Sequence, residues 1–112
     1  MKIQVKSGEG GTDLIALHGD LDFHSATELR GELAKLVDRK APKILIDFKK
    51  VSYIDSSGLA AFVELFQNMK HYGGKLALFN LTQGVRNIFE MAKLDSIFQL
   101  AKSEKEALLL VS

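Results

Sequence analysis

The chain has 112 residues, 46% of them hydrophobic, and this length fits one compact domain of the common size of about 100–150 residues. It contains no cysteine, which excludes disulfides, thiolate zinc sites and cysteine nucleophiles. Its formal net charge of +1, with acidic and basic residues interleaved, argues against a nucleic-acid binder that works by neutralising phosphates.

The N-terminal segment and the apolar runs predict where the protein works. Residues 1–6 alternate between apolar and polar side chains, and they lack the apolar stretch of a signal peptide. No apolar run approaches the roughly 20 residues that span a bilayer. We therefore expect a soluble, cytoplasmic protein that contacts no membrane.

Apolar periodicity divides the chain into strands and helices that alternate after an N-terminal hairpin. Strands are predicted where apolar residues alternate or form short runs, and helices where they recur at helical spacing. In chain order, the apolar positions predict strands at 3–5 and 14–17, a helix over 26–37, a strand at 44–48, a helix over 59–69, a strand at 76–79, a helix over 85–92, a strand at 97–100 and a helix over 107–111. A glycine-rich turn joins the first two strands.

Polar residues and glycines mark the ends of these helices. A capping-box spacing at Ser25–Glu28 predicts the start of the first helix, and Ser103–Glu106 repeats that spacing before the last one. Thr82 is the expected cap of the third helix. The Ala-Pro pair at 41–42 is expected to stop the first helix, and the glycines at 73–74 to end the second.

This alternation predicts one α/β domain over residues 1–112, with a mixed, mostly parallel sheet, an N-terminal hairpin and about four helices. In open α/β sheets, sites form beyond the carboxyl ends of the strands. Three loops, at 19–24, 49–57 and 80–83, are expected to meet at that edge. The predicted site is a small surface that holds Asp20, Asp22, Asp55, Ser56 and Ser57.

The hydroxyls and the acid at the start of the second helix allow two interpretations. Asp55, Ser56 or Ser57 satisfies free N–H groups as a helix cap, with Gly58 allowing close packing, and this is the commoner role of such residues. A phosphate is also well tolerated at this position, because the helix dipole is positive there. The two roles are compatible, since a phosphate at a helix start is expected to strengthen the helix.

Metal-binding and catalytic interpretations have less support. Asp20, Asp22 and Asp55 are of the type that holds Mg²⁺, but the lysine and acidic pair of a receiver domain are missing, which favours solvated loop acids. The segment before Gly58 lacks the first glycine of the Gly-x-Ser-x-Gly nucleophile elbow. Glycine motifs that bind nucleotides are also absent. We predict no catalytic residue, no metal and no cofactor.

Residues 51–59, with the sequence VSYIDSSGL, resemble the signature of anti-sigma factor antagonists of the STAS domain family. Two departures from the common pattern are mild, Asp20 for glutamate and Ala60 for glycine. Further matches, spread over almost the whole chain, are Gly19-Asp20-Leu21-Asp22, Ser25-Ala26, Asp47, Gly73-Gly74-Lys75, Val85-Arg86 and Ile88-Phe89.

The resemblance implies a partner-switching role. The serine directly after the aspartate, here Ser56, is phosphorylated in the family, and Ser57 is the fallback acceptor. The unphosphorylated protein is expected to bind an anti-sigma factor, a serine kinase with a histidine-kinase-like ATPase fold, and so to free a sigma factor. A metal-dependent serine phosphatase would reset the switch. Gly58 would let the partner's backbone approach closely. The implied partner-binding residues are Asp20, Asp22, Asp55, Ser56, Ser57 and Gly58.

A rival interpretation within the same fold is a scaffold subunit of a transport or lipid-trafficking assembly. Such a scaffold would dock through the same edge of the sheet without being phosphorylated. The adjacent Asp55 and Ser56 favour the switch. On the switch interpretation the protein is a substrate and a binder with no catalysis of its own, and we expect it to be a monomer when free.

Overall fold

The computed structural model describes residues 1–112 apart from the side chain of Glu9, and over this part it forms five strands, four α-helices and one 3₁₀ turn. In chain order these elements are β1 (Lys2–Ser7), the 3₁₀ turn (Glu9–Gly11), β2 (Thr12–His18), α1 (Phe23–Asp38), β3 (Lys43–Lys50), α2 (Ser56–His71), β4 (Lys75–Phe79), α3 (Gln83–Met91), β5 (Gln99–Ala101) and α4 (Glu104–Leu110).

The strands form one mixed sheet in the order β1-β2-β3-β4-β5. The first two strands pair antiparallel, from Lys2 opposite His18 to Ser7 opposite Asp13. All later neighbours in this order pair parallel, because a helix connects each strand to the next. The predicted α/β class, the N-terminal hairpin and the mostly parallel sheet are confirmed.

Helices cover both faces of the sheet, as alternation along β3 shows. Ile44 and Ile46 belong to the larger core with buried residues of α1, α2 and α3. Leu45, between them, belongs to a smaller core with Ala107 of α4. Because successive side chains of a strand point to opposite faces, three helices lie on one face of the sheet and α4 lies on the other.

At the amino ends of the parallel strands, the buried Asp13 pairs with a half-exposed arginine. Asp13 is only 2% exposed, and Arg39 Nη2, just past α1, donates to its Oδ1 at 2.8 Å. The Ser7 hydroxyl donates to the same oxygen at 3.1 Å. Nearby, the Tyr72 hydroxyl donates to the Ala41 carbonyl at 2.9 Å, and burial raises the pKa of Tyr72. These contacts lie at the amino ends of the parallel strands, at the edge of the sheet opposite to the predicted site.

The predicted cap of the first helix is wrong. Asp22, and not Ser25, is the residue before the helix, and Ser25 occupies its third position in a capping box with Asp22. Glu28 lies a turn further along. The earlier start is favoured because Leu21 and Ala26, on either side of the box, are both fully buried in the arrangement of a hydrophobic staple.

Other helix signals are confirmed, and the start of the last strand moves. Thr82 caps α3, and Ser103 caps α4 by accepting a hydrogen bond from the backbone of Glu106. The first helix ends at Asp38, before the Ala-Pro pair. The last strand begins at Gln99, two residues later than predicted, because the N–H groups of residues 97 and 98 donate to the Leu94 carbonyl in a turn.

Candidate functional site

Two of the three predicted loops are joined by backbone hydrogen bonds where they enter their helices. Leu21 and Ile54 form an isolated parallel bridge. The Leu21 N–H donates to the Tyr53 carbonyl at 2.9 Å, and the Asp55 N–H donates to the Leu21 carbonyl at 3.0 Å. These bonds extend the pairing of β2 and β3 beyond the sheet and fix the starts of α1 and α2 beside each other.

The pairing also decides which side chains face solvent. Leu21 is 0% and Ile54 1% exposed, so both point into the core. Because alternate residues of an extended segment face opposite sides, Asp20 and Asp22 flank Leu21 on the outside, and Tyr53 and Asp55 flank Ile54 in the same way. The acidic groups that the sequence predicts at this site therefore lie on one surface.

A side-chain hydrogen bond also links the two loops at this surface. The Ser52 hydroxyl donates to Asp20 Oδ1 at 2.9 Å. Asp20 is thereby held against the loop that carries Ser56. Position 52 was not among the predicted site residues, and nothing in its local sequence distinguishes it from any loop serine.

Asp55 is the N-cap of α2. Its Oδ1 accepts hydrogen bonds from the backbone of Ser57 at 2.9 Å and of Gly58 at 3.1 Å. The Leu59 N–H donates to the Asp55 carbonyl at 3.0 Å. Ser56 is the first residue of the helix and is exposed, whereas Ser57 is half-buried. The cap role therefore falls to Asp55, and Ser56 is exposed at the start of the helix.

Asp22 is the matching N-cap of α1. The Ser25 N–H donates to Asp22 Oδ1 at 2.9 Å, and the Asp22 N–H donates to Ser25 Oγ at 2.9 Å. The backbone hydrogen bond from Ser25, then the one from its hydroxyl, lowers the pKa of Asp22 below its ordinary value of 3.8. Asp22 is thus a permanent negative charge of this surface at neutral pH.

Gly58 is buried and packs inside the protein. A Cβ atom built on it would lie 2.8 Å from Cγ1 of Ile54 and 3.1 Å from Cβ of Leu21. A side chain at position 58 would therefore collide with the two residues that join the loops. This internal packing accounts for the glycine; its close approach to a partner's backbone stays a prediction.

The third predicted loop is tied to the end of β3. Asn80 Nδ2 donates to Asp47 Oδ1 at 3.2 Å, and the Lys49 N–H donates to the same oxygen at 2.9 Å. Asp47 thus ties the ends of two neighbouring strands. The hydrogen bonds that join loops beside Ser56 connect the first two loops.

Two exposed aromatic residues on this surface were not among the predicted site residues. Phe23, the first residue of α1, is 70% exposed, and Tyr53 is 49% exposed. The signal for Tyr53 was its place next to an inward-facing Ile54. There was no such signal for Phe23, because the direction of its side chain depends on which residue caps α1.

Two negative observations concern the described residues. Across them, no three histidine or acidic side chains converge in a way that would hold a metal ion. No helix in this part of the chain is both long enough and apolar enough to cross a bilayer.

Comparison with known proteins gives one consistent result. Residues 5–107 match the family model of the STAS domain. The anti-sigma-B factor antagonist of Bacillus subtilis (strain 168) is 36% identical over 105 residues, which cover 93% of this chain and 94% of the relative. The phosphorylated form of the Bacillus cell fate determinant SpoIIAA shares 25% identity and a TM-score of 0.76, covering 99% and 100% of the two chains. An anti-sigma factor antagonist from Mycobacterium paratuberculosis, at 21% identity, shares the fold with a TM-score of 0.88, covering 98% and 92%.

Proposed function

Because the chain belongs to the STAS domain family, we propose that it is an anti-sigma factor antagonist whose binding to its partner is switched off by phosphorylation of Ser56. The relative from Bacillus subtilis has this antagonist function in its name. SpoIIAA, a structural neighbour, has a phosphorylated form. Residues 1–112 act in this proposal as one domain.

The observation that carries the proposal is the position of Ser56. It is the first residue of α2, it is exposed, and it follows the capping Asp55. A kinase needs an accessible hydroxyl, and the two hydrogen bonds from the Ser57 and Gly58 backbone to Asp55 hold the segment around Ser56 in one conformation. Ser57 is half-buried, which supports its rank as the fallback acceptor.

A phosphate on Ser56 would act through the surface and not through the fold. The backbone N–H groups of Ser57 and Gly58 already donate to Asp55. They are therefore not free to bind the phosphate, which would extend into solvent. It would add nearly two negative charges beside the carboxylates of Asp20, Asp22 and Asp55. A partner that fits the bare serine would then meet added bulk and charge.

The partners follow from this role. The unphosphorylated protein binds an anti-sigma factor with a histidine-kinase-like ATPase fold, which releases the sigma factor and phosphorylates Ser56. A metal-dependent serine phosphatase restores the free serine. The protein is a substrate and a binder without catalysis of its own, a monomer when free, and it acts in the cytoplasm where these partners work.

The proposal is tested with two baits in a lysate of the source organism. Ser56→Ala removes the acceptor oxygen without adding charge, and Ser56→Asp adds a negative charge. We expect the alanine bait alone to capture an ATPase of the anti-sigma class, identified by mass spectrometry. Equal capture of transport or membrane components by both baits would instead indicate the scaffold function.

The phosphoacceptor is tested with the captured ATPase and ATP. We expect one phosphate on the wild-type protein and on Ser57→Ala, and none on Ser56→Ala. Phosphorylation of the Ser56→Ala variant would show that the phosphate acceptor is another residue. Circular dichroism of the phosphorylated protein checks the surface mechanism, which a large loss of helix would rule out.

A further inference from the structure

The starts of α1 and α2 are built alike. Each has a buried apolar residue, then a capping aspartate, then the first helical residue: Leu21-Asp22-Phe23 in one and Ile54-Asp55-Ser56 in the other. The bridge between Leu21 and Ile54 pairs the two segments. About two turns further along, Arg30 Nε donates to Glu64 Oε2 at 2.7 Å, so the helices continue side by side.

Phe23 therefore occupies in α1 the position that Ser56 occupies in α2. Both residues are exposed at the same edge of the protein. The aromatic ring of Phe23 is the α1 counterpart of the phosphoacceptor. Tyr53, on the other loop, shares the outward side with the capping aspartates.

The rings of Phe23 and Tyr53 do not contribute to the hydrophobic core. At the start of α1, Leu21 and Ala26 are both 0% exposed, and they occupy the two positions of a hydrophobic staple. Phe23 lies outside it and meets His24 edge-on, with the ring centroids 5.8 Å apart. Tyr53 keeps about half its surface in solvent. Neither residue belongs to a core cluster, nor is either among the residues packed against one.

We propose that Phe23 and Tyr53 are the anchors that supply most of the binding energy for the anti-sigma factor, a proposal that rests on the function proposed above. Aromatic side chains dominate the energetics of protein interfaces because they bury a large rigid area. On this protein they lie among the carboxylates of Asp20, Asp22 and Asp55.

The chemistry of the partner surface follows from this arrangement. It must offer apolar recesses for the two rings, because a ring seated against a polar wall gains little from leaving water. It must border these recesses with arginine or lysine, because the carboxylates around the rings need opposite charges when water is excluded. A flat acidic or uncharged apolar surface does not fit.

The test is a calorimetric titration of the recombinant anti-sigma factor captured by the Ser56→Ala bait. Phe23→Ala is expected to raise Kd by about thirtyfold or more, the range of an interface hot spot. Tyr53→Ala is expected to raise Kd by about tenfold. Leu109→Ala is the matched control, because Leu109 is also 70% exposed but lies in α4, near the opposite end of the sheet. It should change Kd by less than about twofold.

The folding of each variant is checked by urea unfolding. Phe23→Ala and Leu109→Ala are expected to keep the wild-type midpoint, since both side chains are largely exposed. A shift of Kd with an unchanged midpoint supports the anchor role. Binding of Phe23→Ala within about twofold of wild type overturns it.

A failure of the proposed function gives a different result from a failure of the anchor assignment. If wild type and Ser56→Asp bind the captured ATPase equally, the phospho-switch fails whatever the aromatic variants do. If Ser56→Asp weakens binding and Phe23→Ala does not, the switch stands and the anchor assignment alone is wrong.

Discussion

Gly58 lies where α2 packs against the two joined loops, and Gly58→Ala tests that packing directly. The added Cβ would lie 2.8 Å from Cγ1 of Ile54 and 3.1 Å from Cβ of Leu21, both nearer than ordinary van der Waals contact. Neither atom is the free end of a flexible side chain, so relief requires movement of the bridge between the loops. We expect the variant to be less stable than wild type.

The magnitude is a balance of two effects. Forcing an extra methyl group into a well-packed site costs about 1–3 kcal/mol. Alanine in place of glycine inside a helix contributes roughly 1 kcal/mol in the opposite direction. The expected net loss for Gly58→Ala is therefore about 1 kcal/mol and at most about 2 kcal/mol, or a decrease in Tm of about 4–8 °C for each kcal/mol.

Gly31→Ala, in the exposed part of α1, is the matched control. A Cβ on Gly31 has no atom within 4 Å, so this substitution keeps the gain in helix propensity and lacks the collision. We expect it to stabilise the protein by up to about 1 kcal/mol. The difference between the two variants isolates the packing cost, about 1–3 kcal/mol.

Urea unfolding followed by circular dichroism measures both free energies of unfolding. The reasoning is refuted if Gly58→Ala is as stable as Gly31→Ala, because the junction then accepts a methyl group without strain. A loss of stability with unchanged binding of the proposed anti-sigma partner would show that the junction tolerates movement without displacing Ser56. That second result would argue that the packing of Gly58 does not determine the position of Ser56 for binding.

The remaining predictions concern the two capping aspartates. Asp55→Ala is expected to cost about 1 kcal/mol in the free energy of unfolding, whereas Asp55→Asn keeps the accepting oxygen and stays near wild type; equal losses would contradict the cap. The lowered pKa of Asp22 stabilises the folded state above about pH 4, and this contribution is lost as the pH falls through the folded pKa. Asp22→Asn keeps the cap without the charge, so its stability should approach that of wild type as acid is added. Parallel stability curves from pH 7 to about pH 2 would exclude this role.

Local sequence signals located most elements and the residues of the predicted site surface. The hairpin, the alternation that makes the sheet parallel, the cap of α3 at Thr82 and the start of α2 beside Ser56 all follow from short-range patterns. The start of α1 did not. Asp22 and Ser25 are both good caps, and the choice depended on the burial of Leu21 against the other loop.

The sequence by itself determined the fold class and the presence of a serine at a helix start, because apolar periodicity and cap residues act over a few neighbouring positions. The tertiary structure alone decided that the loops pair through Leu21 and Ile54, which residue caps α1, and that Phe23 faces outward beside the acidic groups. These features depend on contacts between segments far apart in the chain. The two loops lie side by side only because the parallel strands before them bring their ends together.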